Sequence, residues 1–516
     1  MTQEDKLAIR MRHISKSFGT VVALDAVDFE LKEGEIHALL GENGSGKTTL
    51  MNILSGIYYP DDGDIAIMGQ DVAICSPKDA FNLGIGMIHQ HFKLVDVLSV
   101  AENIVLGLPP SEETKRKRLN QTIRDIADRY GFDIKPESKI YDLSVSEKQT
   151  VEIIKVLYRG ANMLILDEPT AVLTPQETEK LFNILRAMKA DNKAIVIITH
   201  KLNEVLAVSD RVTILRKGQK IDTIPTATAN RQILTEMMVG RKVDLQIERP
   251  EVTERKLMLQ VNQLTALGPD GRKMIDRISF DAYGGEILGV AGISGSGQKE
   301  LCEAIAGLCP VVGGSILFET KLNGVDVAEN LVGQTPEAII RKGISLAFVP
   351  EDRLGMGLVA SHDMIDNVML KNYRDHKGPF VDRQTAREAA EEMVDALEIV
   401  TPGVRTPIRQ LSGGNVQKVL LGREIRSNPQ MLMVAYPVRG LDINASFTIY
   451  RLLNEQKMKG VSVIFVGEDL DVLMEISDRL LVLCHGRISG IVDPRTVTKE
   501  HVGLLMTGGH DEEVGA

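Results

Sequence analysis

The chain has 516 residues, of which 43% are apolar and 25% are charged, and its formal net charge is -11. This length exceeds one ordinary hydrophobic core, so we expect more than one folded domain, and the composition gives no case for disorder. The acidic balance disfavours a nucleic-acid partner, because such binding usually depends on lysine and arginine patches.

The apolar runs are too short for a membrane span, and the first residues are polar and charged. We therefore expect no signal peptide and no transmembrane segment. Four scattered cysteines without a CxxC pair argue against a zinc site, an iron-sulfur cluster and a disulfide framework, and they fit a reducing cytoplasm.

A predicted strand is followed directly by a glycine-rich loop and a predicted helix. The strand IHALL (36–40) leads into GENGSGKT (41–48), which fits the phosphate-binding pattern GxxxxGK[ST] in its required context. Such a loop points backbone amides and a helix N-terminus at phosphates, Lys47 can reach the β and γ phosphates of ATP, and Thr48 can ligate Mg²⁺. The predicted phosphate-binding residues are Gly41, Asn43, Gly44, Ser45, Gly46, Lys47, Thr48 and Thr49.

A second predicted strand, MLIL (163–166), ends in two carboxylates, Asp167 and Glu168. Asp167 is placed to bind Mg²⁺, and Glu168 is placed to polarise the water that attacks ATP. An acid pair at a buried strand end would be costly without such a role.

The segment QETEKLFNILRAMKA (176–190) has the apolar spacing of an amphipathic helix, with Thr174 and Pro175 in capping positions. The next apolar run, AIVIIT (194–199), reads as another buried parallel strand. Alternation of strand, loop and helix predicts an α/β fold with ligands at the carboxyl ends of the strands.

The chain repeats itself. The segment at 143–174 matches the one at 411–442 at a constant spacing of 268 residues, and a charged, proline-containing stretch separates the two copies. We therefore predict a first domain at 1–244, a linker at 245–256 and a second domain at 257–516.

The loop of the second copy, GISGSGQKEL (292–301), is altered in its chemistry. It keeps Gly292, Gly295 and Gly297, but Gln298 stands at the lysine position and Lys299 at the threonine position. Ala435 and Tyr436 likewise replace the two carboxylates, so we expect no hydrolysis in this half. We interpret the loop as a degenerate nucleotide site, compatible with nucleotide binding without turnover; the alternative is a glycine turn that holds no nucleotide.

The order of these segments, with Gln90 in MIHQHF, an LSxxxQ segment, LILDEPT and IITHKLNEV, resembles the nucleotide-binding domain of ATP-binding-cassette (ABC) transporters. The resemblance covers nearly the whole chain. It implies two tandem P-loop ATPase domains, each with a parallel-sheet core, an antiparallel β part and a helical subdomain. It also implies that Gln90 contacts Mg²⁺ and relays to a membrane partner, that His200 senses the γ phosphate, and that Phe18 stacks on adenine.

In this family two such domains close head to tail around ATP. The resemblance therefore implies that the first loop faces LSGGNVQ (411–417), in which Ser412, Gly413 and Gly414 approach the γ phosphate. The second loop would face LSVSEKQ (143–149), which keeps Ser144 but has Val145 and Ser146 in place of both glycines.

Two features narrow the resemblance further: one degraded site of two, and the segments VPEDR (349–353) and LSGGNVQKV. They resemble the family that imports simple sugars and nucleosides, and the stretch at 86–107 is most similar to the nucleoside branch. Implied partners are membrane permease subunits and an extracellular or periplasmic solute-binding protein, with this chain peripheral at the cytoplasmic membrane face. Import of a monosaccharide such as ribose or galactose is the alternative, and a soluble translation or DNA-repair ATPase is a remote one.

Overall fold

A computed structural model describes residues 6–89, 92–109, 116–170, 173–242, 246–268, 271–293, 295–322, 325–342, 344–373 and 381–509. The chain divides into two compact units, Met1–Asp244 and Leu245–Ala516. Among the described residues, no helix combines the length and apolar character that crossing a membrane requires.

The first unit contains two sheets. Its strands are β1 (Leu7–Phe18), β2 (Val21–Lys32), β3 (Ile36–Leu40), β4 (Asp62–Ile67), β5 (Gln70–Asp71), β6 (Ile85–Ile88), β7 (Met163–Asp167), β8 (Ala194–Thr199), β9 (Arg211–Arg216) and β10 (Gln219–Pro225). A four-stranded antiparallel sheet has the order β2-β1-β4-β5, and a six-stranded sheet has the order β10-β9-β3-β8-β7-β6. In the six-stranded sheet every neighbouring pair is parallel except β10 with β9.

Helices cover both faces of this parallel sheet. The helices of the first unit are α1 (Lys47–Leu54), α2 (Pro77–Asn82), α3 (Val100–Val105), α4 (Arg116–Tyr130), α5 (Val145–Tyr158), α6 (Pro175–Ala190), α7 (Leu202–Val208) and α8 (Arg231–Val239). Alternate residues of β8 enter two different hydrophobic clusters, Val196 packing with the α1 side and Ile197 with the α5 and α6 side. Burial on both faces explains the uninterrupted apolar runs.

The local predictions for α6 are confirmed. Thr174 caps the helix through a reciprocal capping box with Glu177, and Pro175 occupies the first turn. Leu181, Leu185 and Met188 are buried, and Ile184 packs at the edge of the same core.

The second unit repeats this architecture. Its strands are β11 (Lys256–Leu267), β12 (Lys273–Gly284), β13 (Ile287–Gly292), β14 (Val311–Leu322), β15 (Val325–Asn330), β16 (Leu346–Val349), β17 (Met431–Ala435), β18 (Ser462–Val466), β19 (Arg479–Cys484) and β20 (Arg487–Val492). The antiparallel sheet has the order β12-β11-β14-β15, and the other sheet has the order β16-β17-β18-β13-β19-β20.

The helices of the second unit also follow the pattern of the first. They are α9 (Gln298–Ile305), α10 (Pro336–Arg341), α11 (Met364–Asn372), α12 (Arg383–Ala396), α13 (Gly413–Arg426), α14 (Ile443–Met458), α15 (Leu470–Ile476) and α16 (Lys499–Met506). The predicted α/β class, with a parallel core, an antiparallel β part and a helical part in each copy, is confirmed.

Candidate active site

The first glycine loop joins β3 to α1 and requires glycine for steric reasons. Gly46 caps α1 in the left-handed region, with φ of 101°. A Cβ at Gly46 would lie 2.7 Å from the carbonyl oxygen of Ala23, and one at Gly41 would lie 2.3 Å from that of Leu215. Side chains are therefore excluded where the loop packs on its neighbours.

Lys47 lies beneath this loop as a buried cation. Its Nζ donates to the carbonyl oxygens of Gly41 at 2.7 Å and Glu42 at 2.9 Å. Burial lowers the pKa of Lys47, and the charges of Glu168 and Asp167 oppose that shift. The lysine is thus close to the acid pair, as the motif predicts.

Asp167 is the last residue of β7. Burial, and after it the charge of Glu168, raise the pKa of Asp167 to about 6. A nearby cation would favour the ionised form, and the carboxylate of Asp167 with the hydroxyl of Thr48 offers the hard oxygen donors that Mg²⁺ prefers.

Other groups must complete such a magnesium site. Within the described ranges, no three His, Cys, Asp or Glu side chains are grouped to hold a metal ion. Mg²⁺ is commonly bound by one or two carboxylates together with substrate phosphates and water, so Asp167 and Thr48 fit that mode. Gln90, the other predicted ligand, lies outside the described residues.

Glu168 has a backbone conformation that is unusual for a residue with a side chain. Its φ is +47°, and its amide donates to the carbonyl oxygen of Ile198 on β8 at 2.9 Å. The turn directs the chain out of the sheet immediately after Asp167.

The carboxylate of Glu168 pairs with the imidazole of His200. Glu168 Oε1 lies 2.8 Å from His200 Nδ1. This hydrogen bond is the main reason that the pKa of Glu168 is lowered, against the opposing effect of burial. Glu168 is therefore ionised near neutral pH, as a general base must be.

Phe18, the proposed adenine platform, lies at the end of β1 with 44% of its surface exposed. Its ring meets that of Tyr58 edge to face at a centroid distance of 5.1 Å, and Lys16 Nζ lies 5.7 Å from its centroid. These contacts hold the ring while part of it stays accessible. The contribution of Tyr58 was missed, because no motif links the two positions.

The second glycine loop keeps the fold of the first without its cation. Gly297 caps α9 with φ of 103°. The side chain of Gln298 is buried and donates from Nε2 to the carbonyl oxygen of Ile293 at 3.1 Å. Lys299 points away from this position, with its Nζ 3.7 Å from Glu303. A neutral amide thus occupies the place of the buried lysine.

The acid pair of the first unit has no chemical counterpart in the second. Tyr436 has φ of +50° and donates its amide to Val466 at 2.9 Å, repeating the geometry of Glu168. Arg439 pairs with both Glu351 and Glu468, the latter at 3.0 Å. The role of Arg439 was missed because its partners are remote in sequence.

The two LSxxxQ segments also differ. Ser412 caps α13, and its Oγ accepts a hydrogen bond from Asn415 Nδ2 at 3.0 Å. A Cβ at Gly413 would meet Arg353 alone, at 3.4 Å, so the backbone there is open. In the first unit Ser144 caps α5 in a capping box with Glu147, and Val145, which stands at the position of Gly413, is 38% exposed.

Comparisons with known proteins agree with this geometry. The ABC transporter family model matches residues 24–171 and 275–437. The nucleoside import ATP-binding protein NupA of Lactococcus lactis is 42% identical over 99% of this chain and 100% of its own length. The guanosine import ATP-binding protein NupO of Bacillus subtilis is 42% identical over 98% of each chain.

A protein named for a sugar is similar over the same range. The ribose import ATP-binding protein RbsA 1 of Rubrobacter xylanophilus is 39% identical over 98% of this chain and 99% of its own. Since the family model and these relatives span both copies of the phosphate-binding loop, the chain belongs to the ABC transporter family.

Proposed function

We propose that this chain is the ATP-hydrolysing subunit of an importer for nucleosides. The observation that carries the proposal is the pair formed by Glu168 and His200 at the end of β7, next to a complete phosphate-binding loop. Family membership supports ATP as the substrate, and relatives named for nucleoside and guanosine import support the cargo.

In the proposed mechanism the first loop binds the phosphates of ATP. The amides of Gly41, Asn43, Gly44, Ser45 and Gly46, together with Thr48 and Thr49 at the start of α1, hold the phosphate oxygens. Lys47 supplies positive charge to the β and γ phosphates, and Phe18 stacks on the adenine. By the family resemblance we also assign Ser412, Gly413 and Gly414 to ATP binding.

Glu168 then accepts a proton from the attacking water, and His200 holds the carboxylate in position. Asp167, Thr48 and Gln90 would hold Mg²⁺, which supplies charge neutralisation for the transferring phosphoryl group when it is bound. The lowered pKa of Glu168 keeps it ionised and able to accept the proton.

The second copy is proposed to be hydrolytically silent. Its proposed degenerate site comprises Gly292, Gly295, Gly297, Gln298 and Lys299, to which the family resemblance adds Ser144. Arg439 neutralises Glu351 and Glu468 from within the chain, and a tyrosine replaces the base. We assign residues 1–244 to the competent domain, 245–256 to the linker and 257–516 to the silent domain.

The proposed partners are integral membrane permease subunits and an extracellular or periplasmic solute-binding protein. The chain would be a peripheral protein on the cytoplasmic face of the membrane. The alternative cargo is a monosaccharide such as ribose, supported by the similarity to the ribose import protein.

ATPase activity of the chain reconstituted with its permease and binding protein tests the cargo. Adenosine, uridine, ribose and galactose are titrated separately, with the Glu168→Gln variant as a control for contaminating ATPase. We expect stimulation by the nucleosides alone. Stimulation by free sugars alone would assign the chain to the monosaccharide alternative.

A further inference from the structure

Polar side chains close in sequence to Glu168 and His200 form a largely buried group. The group consists of Thr170, Thr199, Lys201 and Glu204, and we call it the Glu204 cluster. Thr170 and Thr199 are each 2% exposed and Glu204 is 9% exposed. Burying a carboxylate is costly unless it is paired and hydrogen-bonded, so its partners matter.

Glu204 receives hydrogen bonds from two different segments of the chain. The hydroxyl of Thr170 donates to Oε1, and the hydroxyl of Thr199 lies 3.2 Å from Oε2. Thr170 is two residues after Glu168, and Thr199 immediately precedes His200. One carboxylate in the first turn of α7 thus ties together the two segments that carry the proposed base and its histidine.

Lys201 closes the cluster from the other side of His200. Its Nζ donates to the carbonyl oxygen of Thr170 at 3.1 Å and lies 3.2 Å from Glu204 Oε1. Its amide donates to the hydroxyl of Thr199 at 3.0 Å. Both neighbours of His200 are therefore connected to Thr170 in the segment that follows Glu168: Lys201 directly, and Thr199 through Glu204.

The second unit has different residues at the positions equivalent to the Glu204 cluster. At the 268-residue spacing, Val438, Gly467, Asp469 and Val472 stand at the positions of Thr170, Thr199, Lys201 and Glu204. Val438 and Val472 pack against the hydrophobic core, and Asp469 caps α15. The same strand, turn and helix thus form with apolar packing in place of the polar cluster.

The first unit has the cluster together with Glu168 and His200. The second unit lacks the cluster and has Tyr436 and Glu468 at the corresponding positions. A purely structural role would be met at least as well by the valines, because apolar packing avoids the desolvation of a buried charge. The polar cluster therefore needs a reason beyond folding.

We infer that Glu204 is a positioning residue for ATP hydrolysis, which it serves by holding the segments of Glu168 and His200 in register through Thr170 and Thr199. This inference rests on the proposed role of Glu168 as the base. In this inference Glu204 acts through Thr170 and Thr199, whose hydroxyls donate to its carboxylate. Its effect should appear in the rate of the chemical step and leave ATP binding largely intact.

The test uses variants of the full chain that change the cluster with little change in volume. Thr170→Val removes the hydroxyl and reproduces the residue at 438, whereas Thr170→Ser keeps the hydroxyl. Glu204→Gln removes the charge. The matched controls are Val438→Ala and Val472→Ala, which disturb the packing of the corresponding positions in the second unit.

We expect Thr170→Val and Glu204→Gln to lower kcat by roughly 10-fold to 100-fold, with the KM and the equilibrium Kd for ATP changed by less than about threefold. Thr170→Ser should retain most of the activity, and both control variants should keep the kcat of the parent chain. Melting temperatures of all variants show whether a loss of rate follows a loss of folding.

Three results would overturn the inference. An unchanged kcat in Thr170→Val and Glu204→Gln, with Glu168→Gln inactive, would remove the positioning role and leave the proposed function standing. A joint change in kcat, ATP affinity and melting temperature would assign the cluster to structure alone. Full turnover by Glu168→Gln would instead overturn the base itself, and the positioning role with it.

Discussion

The ends of strands β7 and β17 have the same backbone conformation but carry side chains of different chemical character. Each strand passes into a residue with positive φ whose amide donates to the neighbouring strand, Glu168 in the first unit and Tyr436 in the second. Only the first end carries an acid pair. The turn therefore belongs to the fold, whereas the proposed reaction depends on the side chains that the turn presents.

Backbone strain alone would therefore mislead a search for catalytic residues in this protein. A left-handed non-glycine residue is often taken as a sign of a functional site. Here Tyr436 keeps that conformation next to Ala435, where no carboxylate remains. The informative difference lies in the partner across the sheet end: His200 pairs with Glu168, whereas Glu468 pairs with Arg439.

Among the changes proposed here, removal of the base Glu168 should have the largest effect on ATPase activity. Glu168→Gln keeps the shape of the side chain but cannot accept the proton, so we expect ATPase activity to fall by roughly two to four orders of magnitude. ATP binding should remain. Steady-state ATPase and equilibrium binding assays on the same preparation measure both quantities.

The matched change in the second unit is Tyr436→Phe, which removes one hydroxyl from the corresponding position. We expect turnover nearly equal to that of the parent chain. A hundredfold decrease in this variant would show that the second unit takes part in the chemistry, and substantial residual activity in Glu168→Gln would show that another base operates.

A smaller effect should appear in stability, because the acid pair is crowded in the folded chain. The pKa of Asp167 is raised to about 6 from an ordinary value of 3.8, so ionisation of Asp167 disfavours the folded state as the pH rises through this window. Only well below pH 3.8 is the residue protonated in both states, so that its charge has no effect. At pH 7.5 this ionisation lowers the free energy of unfolding by about 1–2 kcal/mol after allowance for solvent screening.

Asp167→Asn should therefore raise the melting temperature at pH 7.5 by roughly 2–6 °C in the absence of nucleotide and Mg²⁺, and by little at pH 4. The exposed Asp128→Asn change on α4 is the control, with no expected gain at either pH. A lower melting temperature for Asp167→Asn at pH 7.5 would show that the ionised carboxylate stabilises the fold.

Local features of the first unit were predictable because they depend on neighbouring residues. The glycine loop, the capping box of α6 and the buried strands each follow from local sterics, local hydrogen bonding or short-range hydrophobic pattern. The absence of a positive charge at Gln298 was equally predictable from the sequence. These features require no knowledge of distant contacts.

Other parts of the site were not predictable because their partners are far apart in sequence. Arg439 meets Glu351 across 88 residues, and Thr170 meets Glu204 across 34. The contact of Phe18 with Tyr58 also depends on how a strand and a loop pack. A motif names residue types, whereas such contacts depend on tertiary structure.

Vanadate trapping distinguishes a chain in which only the first unit hydrolyses ATP from one in which both units do. The full chain is incubated with Mg²⁺, vanadate and a photoreactive azido-ATP, then irradiated, digested and analysed by mass spectrometry. Vanadate retains ADP at a site that has completed hydrolysis, so we expect labelled peptides from residues 1–244. Equal vanadate-dependent labelling of peptides from the second loop would contradict the account.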